Sequence, residues 1–359
     1  MRHRIGIVGC GSVLPTYMAT FMASEAITIV ALADAEREST RRAAALHGLP
    51  AMSFDELLRS DAELIVCLTP PQSHHQIGLR TLEAGKHFYT EKPLAATFSQ
   101  ARQLVDTARR KGLRAGSAPD TFFGAAAQSA RDLIDQGVVG AVLYGTAHCM
   151  SHGPDHWHPD PAFFYRPGAG PLLDVGIYPV THLVHHIGPV ALVTAQAHVT
   201  CRERTVPMGP RAGQRLRVEV PTHVVATLRF EAGPVVELVA SFDVWKHKLS
   251  PIELYGEDGT LLLDDPNCFG GTTRYSLRDG PWLTAESRKP YRERKNRRGL
   301  GVIDMLAAID CGADHRCNET LALHVIEVLE ACLASAAGGQ AIELTTRCER
   351  PAVLTAALP

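Results

Sequence analysis

Lys92 stands directly before Pro93 in the segment Phe88-Tyr89-Thr90-Glu91-Lys92-Pro93-Leu94-Ala95. Proline steers the residue before it away from the helical region. An X-Pro bond is also the one place where a cis peptide costs little. Lys92 is therefore expected in an extended or turn conformation at the end of a short strand. Taken alone, it reads as a solvated turn lysine. Its chemistry depends on what surrounds it.

A second set of reactive residues follows the lead-in Gly168-Ala169-Gly170-Pro171, on a helix expected from about Asp174 to His186. Asp174, Tyr178 and His182 recur at i, i+4 and i+8, which places them on one helix face. An acid, a phenol and an imidazole in line can bind and move protons. The same pattern also fits an acid balancing the helix dipole with a buried tyrosine and histidine beside it. Both readings stand at this stage.

The run His152-Gly153-Pro154-Asp155-His156-Trp157-His158 matches no common zinc spacing, so no metal site is expected there. It reads better as a substrate-facing loop, with Trp157 as a stacking platform and His152 beside it. A proline-rich surface loop is the plainer alternative. His223 and His247 lie in strand patterns and read as packing residues. The basic run Arg288–Arg298 reads as a solvated loop, with contact to a phosphorylated ligand as the minor option.

The elements that must carry these residues change character along the chain. Residues 4–9 read as a buried strand, followed by Gly9-Cys10-Gly11-Ser12-Val13-Leu14 and an apolar helix. A strand, a glycine turn and a helix start suit a pyrophosphate, because backbone donors and positive potential converge there. Leu14 replaces the third glycine of the usual fingerprint. A second β run ends at Asp34, 23 residues after Gly11. An acid there can bond the adenosine ribose and repel a 2′-phosphate. NAD is therefore expected, with NADP possible because Arg37, Arg41 and Arg42 lie nearby; a helix cap is the plainer role for Asp34. Strands and helices go on alternating to Ser117, with helices expected at 36–47, 75–84 and 97–111. That alternation implies a doubly wound parallel sheet with ligands at its carboxyl edge. Thr69, Glu91, Lys92 and Asp120 all fall on that edge.

After Asp120 a helix at 123–136 leads into successive strands, which suggests a mostly antiparallel sheet. Glu257-Asp258-Gly259 reads as a hairpin turn. Two helices, about 301–311 and 319–336, close the chain, and Asn318 is placed to cap the last. The expected architecture is a Rossmann domain over 1–121 and an α+β substrate and oligomerisation domain over 122–359. An open sheet needs cover on one face, so a homodimer or homotetramer is expected.

Composition narrows the partners. A formal net charge of -2 offers no field for nucleic acid or anionic lipid. Nine cysteines form no CxxC pair, and several sit in apolar runs, which suits reduced thiols in the cytoplasm. No signal peptide is expected before the first strand, and no apolar run is expected to span a bilayer.

Taken together, Gly9-Cys10-Gly11, Thr69-Pro70 with His74, Glu91-Lys92-Pro93, and Gly168-Ala169-Gly170 leading to Asp174-Val175-Gly176-Ile177-Tyr178 resemble the Gfo/Idh/MocA family of nicotinamide-dependent sugar and cyclitol oxidoreductases. The resemblance runs over essentially the whole length, and Glu-Lys-Pro is its most specific part. It implies a site between a Rossmann domain and an open-sheet domain, with the last helix packing back toward the Rossmann domain. It further implies cofactor contacts from Gly9, Gly11, Ser12, Val13, Asp34, Thr69, Pro70, His74, Glu91 and Lys92. Substrate contacts are expected from Asp120, His152, Trp157 and His182. Many members carry histidine where this chain has Tyr178, which resembles the glucose–fructose oxidoreductase branch.

The chemistry so implied is hydride exchange between NAD(P) and a secondary hydroxyl or ketone of a sugar, glycoside, nucleotide-sugar or cyclitol. Tyrosine ionises near pH 10, and a neighbouring ammonium favours the phenolate. Tyr178 is thus expected to transfer the proton, Lys92 to tune it and hold the substrate oxygen, and Asp174 to orient. Two other classes remain: a non-catalytic NAD-binding regulator of the same fold, and a lyase or glycosidase that oxidises its substrate only transiently.

Overall fold

The computed structural model describes residues 2–286 and 289–358, so Arg288 of the basic run lies outside the described residues. The chain divides into two compact units. The first comprises the chain to Phe123 with Lys295–Ile326 and Leu354–Pro359; the second comprises Gly124–Arg294 and Glu327–Val353. The division after Phe123 lies close to the expected one after 121. The C-terminal part departs from it, because 295–326 clusters with the first unit.

In the first unit, β1 (His3–Val8), β2 (Ile27–Ala33), β3 (Leu64–Cys67), β4 (His87–Thr90) and β5 (Ala115–Ser117) form a parallel sheet in the order β2-β1-β3-β4-β5. The intervening helices are α1 (Leu14–Phe21), α2 (Arg37–His47), α3 (Phe54–Arg59), α4 (Pro71–Glu83) and α5 (Phe98–Lys111). All four residues of β3 are buried, as befits a central parallel strand with both faces covered. One core joins Cys67, Phe88 and Leu104; another joins Val8, Leu57 and Ile65. Burying each large apolar side chain contributes roughly 1.5–3 kcal/mol before entropy is counted. Helix α4 begins four residues before the expected 75. Proline is favoured in a first helical turn, where its missing NH costs nothing, so Pro71 starts the helix rather than delaying it.

The second unit is built on β6 (Val142–Met150), β7 (Val190–His198), β8 (Glu203–Thr205), β9 (Arg215–Arg217), β10 (His223–Phe230), β11 (Val235–Ser241), β12 (Ile252–Gly256), β13 (Gly259–Leu263), β14 (Arg274–Leu277), β15 (Leu283–Thr284) and β16 (Ile342–Glu343). Nine of these form one sheet, in the order β15-β14-β13-β12-β6-β11-β10-β7-β16; β8 and β9 pair separately. The large sheet is antiparallel except where β6 runs parallel to β11. The hairpin at Glu257-Asp258 joins β12 to β13. Along β10, Val224, Ala226, Leu228 and Phe230 point into the core, while Val225, Thr227 and Arg229 face outward. This period of two marks a sheet with one covered face.

The remaining helices are α6 (Ala125–Asp135), α7 (Pro171–Asp174) and α8 (Ile177–Ile187) in the second unit, α9 (Leu300–Cys311) in the first, and α10 (Glu319–Gly338), which begins in the first unit and ends in the second. Every residue of α8 is buried. The Asn318 side chain accepts from the Leu321 NH at 2.9 Å and caps α10. Helix α10 is long and apolar enough to cross a membrane by length and composition, contrary to the sequence expectation. It behaves as a core helix, with Leu323 and Ile326 packed among Leu82, Phe88 and Leu104.

Candidate active site

The glycine turn lies between β1 and α1. Gly9 has φ +107°, and a Cβ there would come within 2.6 Å of the Leu68 carbonyl carbon. Only glycine lets the ends of β1 and β3 approach so closely. Gly11 differs, because a Cβ there would meet nothing within 4 Å. The NH groups of Gly11, Ser12 and Val13 take no acceptor among the described residues. Leu14, at the third fingerprint position, turns its side chain into the core. A cavity of about 910 Å³ opens beside the turn, lined by Gly9, Gly11, Asp34, Arg37, Arg41, Thr69 and Pro70 among others. Asp34 is not a helix cap. Its Oδ2 accepts from the Cys10 NH at 2.7 Å and its Oδ1 from the Glu36 NH at 2.9 Å. The carboxylate thereby fixes the turn and keeps lone pairs for the cavity. Unclaimed NH donors, an open face at Gly11 and an acid at the end of β2 fit a dinucleotide.

Lys92 follows β4, and the Lys92–Pro93 peptide is cis. Glu91 and His74, expected as cofactor contacts, spend their polar atoms on the protein. Glu91 accepts from the Tyr17 hydroxyl at 2.9 Å and from the Lys92 NH at 2.9 Å. The buried His74 ring lies 2.7 Å from the Pro93 carbonyl and 2.7 Å from the Thr69 carbonyl. Burial pushes its pKa down, against those two carbonyls. The neutral ring donates to one of them at a time. Thr69 shares a hydrogen bond with Ser73 at 2.6 Å, at the start of α4.

Asp120, expected to touch substrate, is a helix cap. It is fully buried, and its Oδ2 accepts from the NH groups of Gly299 (2.9 Å) and Gly301 (3.0 Å) at the amino end of α9. The helix dipole favours an acid there. Burial nevertheless raises its pKa to about 6, opposed by the Gly301 bond and by Arg298.

In the second unit, the expected single helix is two. The NH groups of both Val175 and Gly176 bond to the Pro171 carbonyl, which shifts the register by one residue and closes α7. A Cβ at Gly176 would lie 2.5 Å from the Leu172 carbonyl oxygen, so glycine permits the tight step into α8. Asp174 therefore ends its own short helical turn, α7, while Tyr178 and His182 belong to α8. It is half-buried and adds its charge to burial in pushing the Cys149 thiol of β6 up to about 12. Tyr178 is buried in the first turn of α8. His182, expected as a substrate contact, is packed in the interior. Burial, His186 and a bond to the Pro266 backbone set its pKa, with burial dominant, at about 3.

The 152–158 loop has an aromatic partner that lies far along the sequence. Trp245 is 71% exposed and stacks on His152, with ring centroids 3.4 Å apart at 11°. Trp157 is 67% exposed. The signal was present in Asp243-Val244-Trp245-Lys246-His247-Lys248, where only His247 drew notice; that histidine lies exposed in irregular chain after β11, not in a strand. Arg204 anchors the loop. It donates to Asp155, Asp243 and the carbonyls of His152 and Phe242, and its guanidinium lies 5.3 Å from the Tyr165 ring centre. Among the described residues, no three His, Cys, Asp or Glu side chains are grouped to hold a metal ion.

Comparison with known proteins bears on the family and the fold. Residues 3–118 match the family model GFO_IDH_MocA, an oxidoreductase family with an NAD-binding Rossmann fold, and residues 127–262 match the GFO/IDH/MocA C-terminal domain. The dTDP-3,4-didehydro-2,6-dideoxy-alpha-D-glucose 3-reductase of Saccharopolyspora spinosa is 31% identical over 267 residues, 73% of this chain and 74% of that protein. The D-glucoside 3-dehydrogenase of Escherichia coli K12 is 27% identical over 248 residues, 67% of this chain and 70% of that protein. Levoglucosan dehydrogenase, solved in complex with NADH, shares the fold with a TM-score of 0.83 at 19% identity, over 96% of this chain and 100% of that one.

Proposed function

Because the chain belongs to the GFO/IDH/MocA oxidoreductase family and its first domain is an NAD-binding Rossmann fold, we propose that it moves hydride to or from carbon 3 of a glycoside or nucleotide-linked sugar. The observation that carries this reading is Lys92, presented after β4 of the NAD-binding sheet by a buried carboxylate and a buried imidazole. Position 3 is favoured because both relatives, one a reductase of a dTDP-sugar and one a dehydrogenase of glucosides, are named for that carbon.

The nicotinamide supplies the hydride acceptor or donor. Gly9, Gly11, Ser12 and Val13 hold its pyrophosphate, and Asp34 takes the ribose. NAD is the working cofactor, since Asp34 repels a 2′-phosphate; Arg37 and Arg41 on the cavity wall leave NADP a weaker option. Lys92, Tyr178 and Asp174 divide the proton work. Tyr178 passes the hydroxyl proton, the Lys92 ammonium steadies the charge left on the phenol and the substrate oxygen, and Asp174 orients them. His152, Trp157 and Trp245 offer faces on which a sugar ring or base can stack. The enzyme works in the cytoplasm as a homo-oligomer.

The test is NADH absorbance with a panel of glucosides and dTDP- or UDP-sugars, in both directions. Turnover that depends on Lys92 and on Tyr178 supports the reading. Tight NAD binding with no turnover on any of the panel contradicts it and favours a regulator. If Tyr178→Phe is silent while Asp174→Asn is not, the proton passes through Lys92 and Asp174 instead.

A further inference from the structure

A lysine side chain is long and flexible, so its placement depends on how firmly its main chain is held. The main chain of Lys92–Pro93 is held on both sides. Glu91 accepts from the Lys92 NH at 2.9 Å, and His74 lies 2.7 Å from the Pro93 carbonyl. Glu91 is itself aimed by a third buried group, the hydroxyl of Tyr17, which donates to its other oxygen at 2.9 Å. Tyr17 is fully buried in α1 and packs edge-on against Phe21, with ring centres 5.7 Å apart. Burial, followed by the charges of Glu91 and Asp120, pushes the Tyr17 pKa well up. The phenol therefore keeps its proton and stays the donor. Helix α1 begins at the glycine turn. One chain of two short hydrogen bonds thus runs from that helix to the Lys92 main chain.

We propose that Tyr17 and Glu91 are positioning residues that fix Lys92 relative to the cofactor turn, with His74 bracing the same peptide from α4. This rests on Lys92 acting in the reaction as proposed above. Tyr17 transfers no proton and touches no substrate. Its hydroxyl sets the direction of the Glu91 carboxylate, and that carboxylate sets the Lys92 NH.

Tyr17→Phe tests the pair, because it keeps the ring in the core and removes only the hydroxyl. We expect kcat to fall about 10-fold or more, the order that small misplacement of a reacting group costs. NADH affinity and sugar KM should stay within about threefold. The alkaline limb of the kcat–pH profile should move as well, which a loss of stability alone would not produce. Glu91→Gln, whose amide oxygen still accepts from the Lys92 NH, should retain more turnover than Glu91→Ala. Rates are taken per NADH-binding site, so that unfolded protein is not counted. Wild-type kcat with an unshifted profile in Tyr17→Phe would overturn the proposal. So would an equal loss of kcat and NADH affinity, which would assign the pair to the cofactor turn. Lys92→Ala is the reference. If it keeps full turnover, the role of Lys92 fails and the pair falls with it. If it is dead while Tyr17→Phe keeps wild-type kcat and an unshifted profile, the pair alone fails.

Discussion

Arg204 donates to Asp155 at 3.1 Å from one guanidinium nitrogen and reaches Asp243 with the other, all three side chains being largely sheltered from water. The pairing ties the 152–158 loop to the segment that carries Trp245, so the stacked His152 and Trp245 rings rest on a buried ionic base. Removing one partner of a buried pair leaves a charge without compensation and costs about 3–5 kcal/mol. Arg204→Met should therefore lower the unfolding midpoint clearly. At a temperature where the variant is folded, it should raise substrate KM more than it lowers kcat. Thermal melts and steady-state kinetics check both.

The two glycines of the turn should separate stability from cofactor binding. Gly11→Ala adds a methyl that meets no protein atom within 4 Å. It should change unfolding free energy by no more than about 0.5 kcal/mol, yet weaken NADH at least 10-fold by standing where the pyrophosphate lies. Gly9→Ala forces φ +107° on a Cβ and drives it into the Leu68 carbonyl. It should destabilise the protein by more than about 1 kcal/mol, with or without cofactor. Denaturant titration beside fluorescence titration distinguishes the two.

Asp120 should matter for folding rather than for substrate. Asp120→Asn keeps an acceptor for Gly299 and Gly301 and should cost little at neutral pH. Asp120→Ala loses the cap and should cost about 1–2 kcal/mol. The folded pKa of about 6 lies above the ordinary 3.8, so the folded state holds this proton more tightly than the unfolded chain. Its contribution is complete below 3.8 and is lost as pH rises through 6. Asp120→Asn should flatten stability over that window, as measured by urea unfolding across pH.

The buried histidines of α8 pull in the opposite sense. Burial lowers His182 to about 3 and His186 to about 4, and it pushes His185 well below the ordinary imidazole value. All three are neutral in the folded state at pH 7. Below 6.5 the unfolded chain takes up protons that the folded chain refuses. Stability should therefore drop as pH falls from 6.5 toward 4, by roughly 3 kcal/mol for His186 alone at the acid end. His186→Leu should make the acid limb of a melting curve shallower. An unchanged limb would show that the ring does not govern acid unfolding.

The Rossmann unit was legible because its signals are local. Strand, glycine turn, helix and the acid after β2 fall within a few dozen residues, and Pro93 marks the lysine loop by itself. What escaped depends on distance or on one residue's sterics. Asp120 caps a helix that starts nearly 180 residues later, and no local pattern announces that contact. Asp174 falls on a separate short helix from Tyr178 because Gly176 permits a tight step between α7 and α8, which helical periodicity does not reveal. Trp245 gains its place by stacking on a histidine some ninety residues upstream. Glu91 and His74 sit in motif positions whose order in sequence does not say whether they face a ligand or brace the chain. The described geometry has them brace it.

In the proposed reaction, hydride leaves or enters at carbon 3 of the sugar under the charge of Lys92. The most direct measurement supplies a glucoside or nucleotide-sugar deuterated at carbon 3 and weighs the NADH formed from NAD. Deuterium is expected in the NADH from the carbon-3 label alone, with a slowed rate for that label and loss of the product in Lys92→Ala. Deuterium arriving from carbon 2 or carbon 4 instead, or undiminished transfer without Lys92, would contradict it.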